Sequence, residues 1–134
     1  MRLIFEGKPL AKQRHRMSNG RMYNPQKKIE GKLKYLAWVQ AMGEEPLTGP
    51  IAVHITAHFK RPKSHYGTQK GVPCLKDTAP KHHAGKPDVD NIGKFYLDVL
   101  NGIVFVDDRQ VCRMIVVKGW SESEGVFIDI GRPL

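Results

Sequence analysis

Lys86-Pro87-Asp88-Val89-Asp90-Asn91-Ile92-Gly93-Lys94-Phe95-Tyr96-Leu97-Asp98-Val99-Leu100-Asn101-Gly102 runs from a proline-stiffened approach into an amphipathic helix and out through a turn. Ile92, Phe95, Tyr96, Val99 and Leu100 recur at i, i+3, i+4, i+7 and i+8, the spacing of one buried helical face. Asp90 reads as the N-cap and Asn101-Gly102 as the stop. Downstream, Ile103 to Val106 is a short apolar segment ending at Asp107-Asp108. Val111 to Trp120 and Gly125 to Ile130 read as two strands joined by the polar turn Ser121-Glu122-Ser123-Glu124.

Upstream, Leu3-Ile4-Phe5 begins a strand that Gly7 and Pro9 end, and Ala11 to Pro25 reads as a turn or hairpin loop. Asn24 with Pro25 behind it is a helix-start signal, and Ile29, Leu33, Leu36, Ala37 and Val39 keep roughly helical spacing up to Met42-Gly43. Pro50 opens the alternation Ile51, Val53, Ile55, Ala57, Phe59, with His54 and His58 on the opposite face, the pattern of a half-buried strand. Residues 61–87 are rich in Pro, Gly, Lys and His and read as a long basic loop, functional or mobile. The order β-α-β-loop-α-β-β predicts an α/β (α+β) fold, a mixed sheet with two packed helices, in one domain over residues 1–134.

Composition narrows the partners. The 134 residues are 40% hydrophobic, enough for one core, and 22 Lys+Arg against 13 Asp+Glu leave a net charge of +9. A small domain this basic meets a polyanion. No apolar run approaches a membrane span, the start Met1-Arg2-Leu3-Ile4-Phe5-Glu6 does not read as a signal peptide, and no basic helix carries a Trp/Leu face, so no membrane partner is expected. Cys74 and Cys112 form no C-x-x-C, which signals neither a disulfide framework nor zinc and makes the cytoplasm the expected compartment.

The charge is also segregated. Lys8 to Lys28 holds seven cations (Lys8, Lys12, Arg14, Arg16, Arg21, Lys27, Lys28) and no acid. Lys60 to Lys86 holds seven more against Asp77 alone, whereas five of the thirteen acids fall between Asp88 and Asp108. Two basic runs flanking an acidic cluster predict a polyanion groove around a cation site, with Lys8, Lys12, Arg14, Arg16, Arg21 and Lys86 as its nucleic-acid contacts.

Asp88 precedes the helix, Asp90 opens it, and Asp108 returns from the next segment, so the three are expected to converge. Two carboxylates about 4 Å apart repel by roughly 4 kcal/mol at an effective dielectric of 20. Three together call for a hard divalent cation, Mg²⁺ with Mn²⁺ as substitute; no small-molecule cofactor is expected. Lys94, one turn beyond Asp90, is placed to hold a phosphate oxygen or stabilise charge on the leaving oxygen. Taken singly these residues have plainer readings: Asp90 as a cap only, Lys94 paired with Asp98 in solvent, Asp107-Asp108 as a turn.

Asp88-Val89-Asp90-Asn91, Lys94 and Asp107-Asp108 together resemble the signature of the RusA family of Holliday junction resolvases. Weaker support comes from Gly7-Lys8-Pro9-Leu10-Ala11-Lys12-Gln13-Arg14 and from the order of elements. The resemblance implies a homodimeric, Mg²⁺-dependent endodeoxyribonuclease that nicks four-way junction DNA symmetrically in recombination and repair. It implies metal binding by Asp88, Asp90 and Asp108 and a catalytic Lys94, and leaves Asp107 either beside that shell or as an alternative ligand. The loop over 61–87 departs from the compact members of that family. Two other readings stand beside it, a non-catalytic basic nucleic-acid-binding module and a less selective structure-specific Mg²⁺ nuclease.

Of the remaining residues, His82-His83 and His65 are expected in solvent or at phosphates, and Trp38 in the core or a dimer contact. Tyr23 and Tyr66, inside basic segments, are candidate base-stacking residues. His54 and His58 are expected on a solvent or interface face.

Overall fold

Leu3 and Phe5, then Ile51, Val53, Ile55, Ala57 and Phe59, then Val126, Ile128 and Ile130 are all buried, every second residue along three strands, and together they make one apolar sheet face. The computed structural model describes residues 1–42 and 44–134. The strands β1 (Arg2–Glu6), β4 (Ile51–Lys60), β7 (Val111–Ser121) and β8 (Gly125–Gly131) form a four-stranded sheet in the order β1-β8-β4-β7. β4 and β7 are parallel and the other two pairings antiparallel, so the sheet is mixed, as expected. Helices α1 (Lys27–Gln40) and α2 (Val89–Leu100) pack on the same face and on each other, making an α+β arrangement of two layers. Leu33, Ala37, Ile92, Phe95, Tyr96, Val99 and Leu100 are the helical share of the core, closed below by Val104 and Phe105.

Two hairpins stand apart from this sheet. β2 (Arg16–Ser18) and β3 (Arg21–Tyr23) turn at Asn19-Gly20, both at positive φ, the turn signal of the Ala11–Pro25 segment. The stretch over 61–87 is not one long loop: it contains a short 3-10 turn at Lys63–His65 and the hairpin of β5 (Tyr66–Gln69) and β6 (Val72–Leu75). That hairpin turns at Lys70-Gly71, again at positive φ. Pro73 and four-residue strands hid it, because the pairing runs through the backbone with little apolar alternation.

Two helix starts also differ from expectation. α1 begins at Lys27, with Gln26 as N-cap, because the Asn24 side chain accepts from the Gln26 N–H (2.9 Å) and forms a turn before the helix. α2 begins one residue before Asp90, with Asp88 in the extended N-cap conformation. Trp38 is not in the core: it is 54% exposed and stacks on exposed Tyr35, with ring centroids 6.3 Å apart. Gln40 brackets edge strand β1, accepting from the Ile4 N–H and donating to the Ile4 carbonyl.

Candidate active site and nucleic-acid interface

Residues at both ends of α2 fix its direction over the sheet. At its start, the Lys118 ammonium on β7 donates to the Pro87 carbonyl (2.9 Å) and to that of Gly85, tying the strap before Asp88 to the far end of β7. In the middle, Gly93 lies so close to β7 that a Cβ there would meet Met114 and Val116. Gly93 thus lets the first half of α2 settle onto the sheet, and α2 runs antiparallel to β7. At its C-terminus the chain turns tightly, with Ile103 and Val104 donating to the Leu100 carbonyl, and returns to the start of β7.

Asp88 and Asp90 therefore stand together at the first turn of α2, both exposed. Asp88 occupies the N-cap position without making a side-chain capping bond. Among the described residues neither carboxylate is engaged in an ion pair. A helix N-terminus also favours negative charge. These are hard oxygen donors, and they fit Mg²⁺, which takes one or two carboxylates and keeps water and substrate phosphate for the rest of its shell.

Asp108 is placed differently from the expectation. It follows the turn at the opposite end of α2, where its electrostatic neighbours are Asp107 and Asp98. Twelve helical residues at 1.5 Å each put about 18 Å along the axis between the two ends. Asp88, Asp90 and Asp108 are not gathered into one three-ligand set, and among the described residues no group of three His, Cys, Asp or Glu is placed to hold a metal ion. The two adjacent acids are nonetheless distinguishable. Asp107 caps the 3-10 turn Asp108–Gln110, accepting from the Arg109 N–H (3.0 Å) while Gln110 accepts from the Asp107 N–H (2.8 Å). That backbone N–H holds Asp107 below the usual carboxylate range. Partial desolvation, and then the neighbouring Asp107 and Asp98 carboxylates, push Asp108 above it. Asp107 is the structural cap, and Asp108 is the carboxylate left over.

Lys94 projects from α2 one turn after Asp90, exposed and, among the described residues, without an ion-pair partner. Asp98, the acid it was expected to meet in the plainer reading, is bound to Lys12 instead (2.7 Å). Lys12 also pairs with Glu30 (3.2 Å) and donates its backbone N–H to the Asn91 carbonyl (2.8 Å). Its charge is thus spent inside the molecule, not held out to phosphate.

The other cations serve the interface better. A cleft of about 890 Å³ opens beside Asp88 and Asn91, with Lys8, Lys60 and Lys86 on its walls. Arg14, Arg16 and Arg21 are exposed on the β2–β3 arm, along with Tyr23. Buried Gln26 holds the base of that arm, accepting from the Gln13 N–H (2.9 Å) and donating to the Ala11 carbonyl (2.8 Å). His82 is exposed as expected, but His83 is buried in the wall of the cleft against Phe59 and Trp120. Sequence reasoning assigned Lys118 and Trp120 no role, counted Lys60 only within the second basic run, and pointed His83 to solvent or phosphate rather than to a buried wall. For Lys118 and Trp120 the usable signal was strand parity, which puts both on the helix-covered face of β7 with Met114 and Val116.

Helix α2 thus lies antiparallel to β7 over a mixed sheet, with the Asp88 carboxylate at a cleft walled by Lys8, Lys60 and Lys86, an arrangement suited to an anionic chain. The sequence model of the family described as Endodeoxyribonuclease RusA matches residues 6–131, and the chain belongs to that family. It is also 35% identical over 133 residues, covering 92% of this chain and 90% of the relative, to the uncharacterized protein YqaN of Bacillus subtilis (strain 168).

Proposed function

We propose that this endodeoxyribonuclease acts on four-way junction DNA, as a Mg²⁺-dependent homodimer that introduces paired symmetric nicks in recombination and repair in the cytoplasm. The observation that carries this is the pair Asp88 and Asp90. Among the described residues neither carboxylate is spent on a side-chain capping bond or an ion pair; Asp88 lines the cationic cleft, and Asp90 stands one helical turn before Lys94, which is itself without an ion-pair partner.

Asp88 and Asp90 would hold the ion, which when bound polarises the phosphoryl group and supplies a water nucleophile at neutral pH. Lys94 stabilises negative charge on the phosphate or on the leaving oxygen. Lys8, Lys60, Lys86 and the arginines of the β2–β3 arm hold the backbone of the strand across the cleft. A junction has two equivalent strands to cut, and a two-fold dimer presents two equivalent sites to them.

The test compares a synthetic four-way junction, a flap and a plain duplex with Mg²⁺. Symmetric nicks confined to the junction support the proposal. Equal cutting of all three points to the less selective nuclease, and binding without cutting points to the non-catalytic module.

A further inference from the structure

The cleft beside Asp88 has an aromatic wall that phosphate binding does not require. His83 stacks on Trp120 with ring centroids 4.2 Å apart and planes 18° apart, and Phe59 closes on His83 at 4.5 Å. Behind them the His65 ring meets Trp120 edge-on, and the Arg61 guanidinium lies 6.0 Å from the Trp120 ring centre while donating to the Pro80 carbonyl. These contacts pack Trp120 against the segment over 61–65.

Two polar atoms in this wall are orphaned. Among the described residues, His83 Nδ1 and Trp120 Nε1 are buried and have no hydrogen-bond partner, although His83 is only 8% exposed. Buried polar atoms are nearly always paired, so two orphans on one stacked pair, whose side chains line a cleft while the nitrogens themselves are closed off just behind its surface, ask for a partner from outside the chain that reaches them as the wall gives way. Indole nitrogen only donates, and a neutral imidazole nitrogen donates or accepts according to tautomer. Such a pair suits the edge of a nucleobase, which carries donors and acceptors side by side. A cleft of about 890 Å³ falls within the roughly 300–1,000 Å³ of sites that enclose a small organic ligand.

We infer that this cleft receives one unstacked nucleotide of the DNA, its base against Phe59, His83 and Trp120, whose small displacement brings Trp120 Nε1 and His83 Nδ1 to the base edge, and its phosphate at Lys8 and Lys86. The inference rests on the DNA-cutting reading above and adds to it a nucleotide-binding subsite. The base pocket and the cutting residues are mechanically joined. Trp120 stands two residues from Lys118 on β7, and Lys118 holds the Gly85 and Pro87 carbonyls of the strap that runs from His83 to Asp88. A base seated in the wall therefore fixes where the neighbouring phosphate lies relative to Asp88.

The test uses four-way junctions, each with a single 2-aminopurine at one position around the point of strand exchange, mixed with the wild-type protein in EDTA so that nothing is cut. One position should brighten as its base leaves the stack, with the others unchanged. In Trp120→Phe and His83→Phe, which keep an aromatic ring at each position and remove the orphaned nitrogens, that brightening should fall. Their Mg²⁺-dependent cleavage should drop about tenfold, the worth of one hydrogen bond. If the wild-type protein binds and cuts the junction while no position brightens, the subsite is refuted and the nuclease reading stands. If it neither binds nor cuts the junction, the nuclease reading fails and the subsite falls with it. The fluorescence of the wild-type complex decides the matter even if a variant does not fold.

Discussion

The Lys12 ammonium lies 2.7 Å from the Asp98 carboxylate, and Lys94, one turn earlier on the same helix as Asp98, is left without an ion-pair partner among the described residues. The two lysines should therefore answer substitution in different ways. Lys94→Ala is expected to lower cleavage by about 10²–10³-fold, the usual loss when a group stabilising transition-state charge is removed, with little change in thermal stability. Lys12→Ala should cost about 1 kcal/mol of stability through its partly exposed ion pairs and affect cleavage far less. Thermal melts and single-turnover cleavage of both variants check this.

A crystal soaked in Mn²⁺ should show the ion on Asp88 and Asp90. Should Asp108 join the shell, the turn over 101–107 must have swung toward the start of α2, since it otherwise keeps Asp108 within reach of Asp107 and Asp98. An ion held only by Asp98, Asp107 and Asp108 would move the cutting site to the other end of the helix.

His83 should make stability depend on acidity. Burial, and then the Lys118 charge, hold its imidazole below the usual value of 6.5, so the folded state favours the neutral ring. Its contribution is complete above pH 6.5 and is lost as pH falls from there toward the folded value, because the unfolded chain takes up the proton first. His83→Phe should flatten that part of the melting-temperature profile. An unchanged profile would show that another group carries the acid dependence.

DNA binding should weaken steeply with salt. Each phosphate neutralised on a duplex contributes about −0.9 to the slope of log affinity against log salt. Removing Arg14, Arg16 and Arg21 together should flatten the slope, whereas Lys12→Ala should leave it nearly unchanged, because Lys12 is already neutralised by Asp98 and Glu30.

Much of this fold could be read in the sequence because the decisive elements carry their own periodicity. Ile92 to Leu100 gave α2 its buried face, and Ile51 to Phe59 gave β4 its alternation. The β5–β6 hairpin could not be read, since backbone pairing and Lys70-Gly71 at positive φ hold it with little apolar patterning. Acid–base pairing across elements was equally hidden. Nothing in the order of residues places Lys12 against Asp98 and Glu30, or tells that Asp107 is consumed as a cap while Asp108 is not. The aromatic wall joins Phe59, His83 and Trp120 from three separate segments, and only the folded sheet brings them together.

The most direct measurement is cleavage of a synthetic four-way junction by the wild-type protein and by Asp90→Asn, with and without Mg²⁺, alongside binding of the same junction. The wild-type protein should nick two symmetric strands only when Mg²⁺ is present, and Asp90→Asn should bind at least as tightly while cutting at least about 100-fold more slowly. A junction left intact by the wild-type protein with Mg²⁺, or cut equally well by Asp90→Asn, would contradict a metal-assisted site at the start of α2.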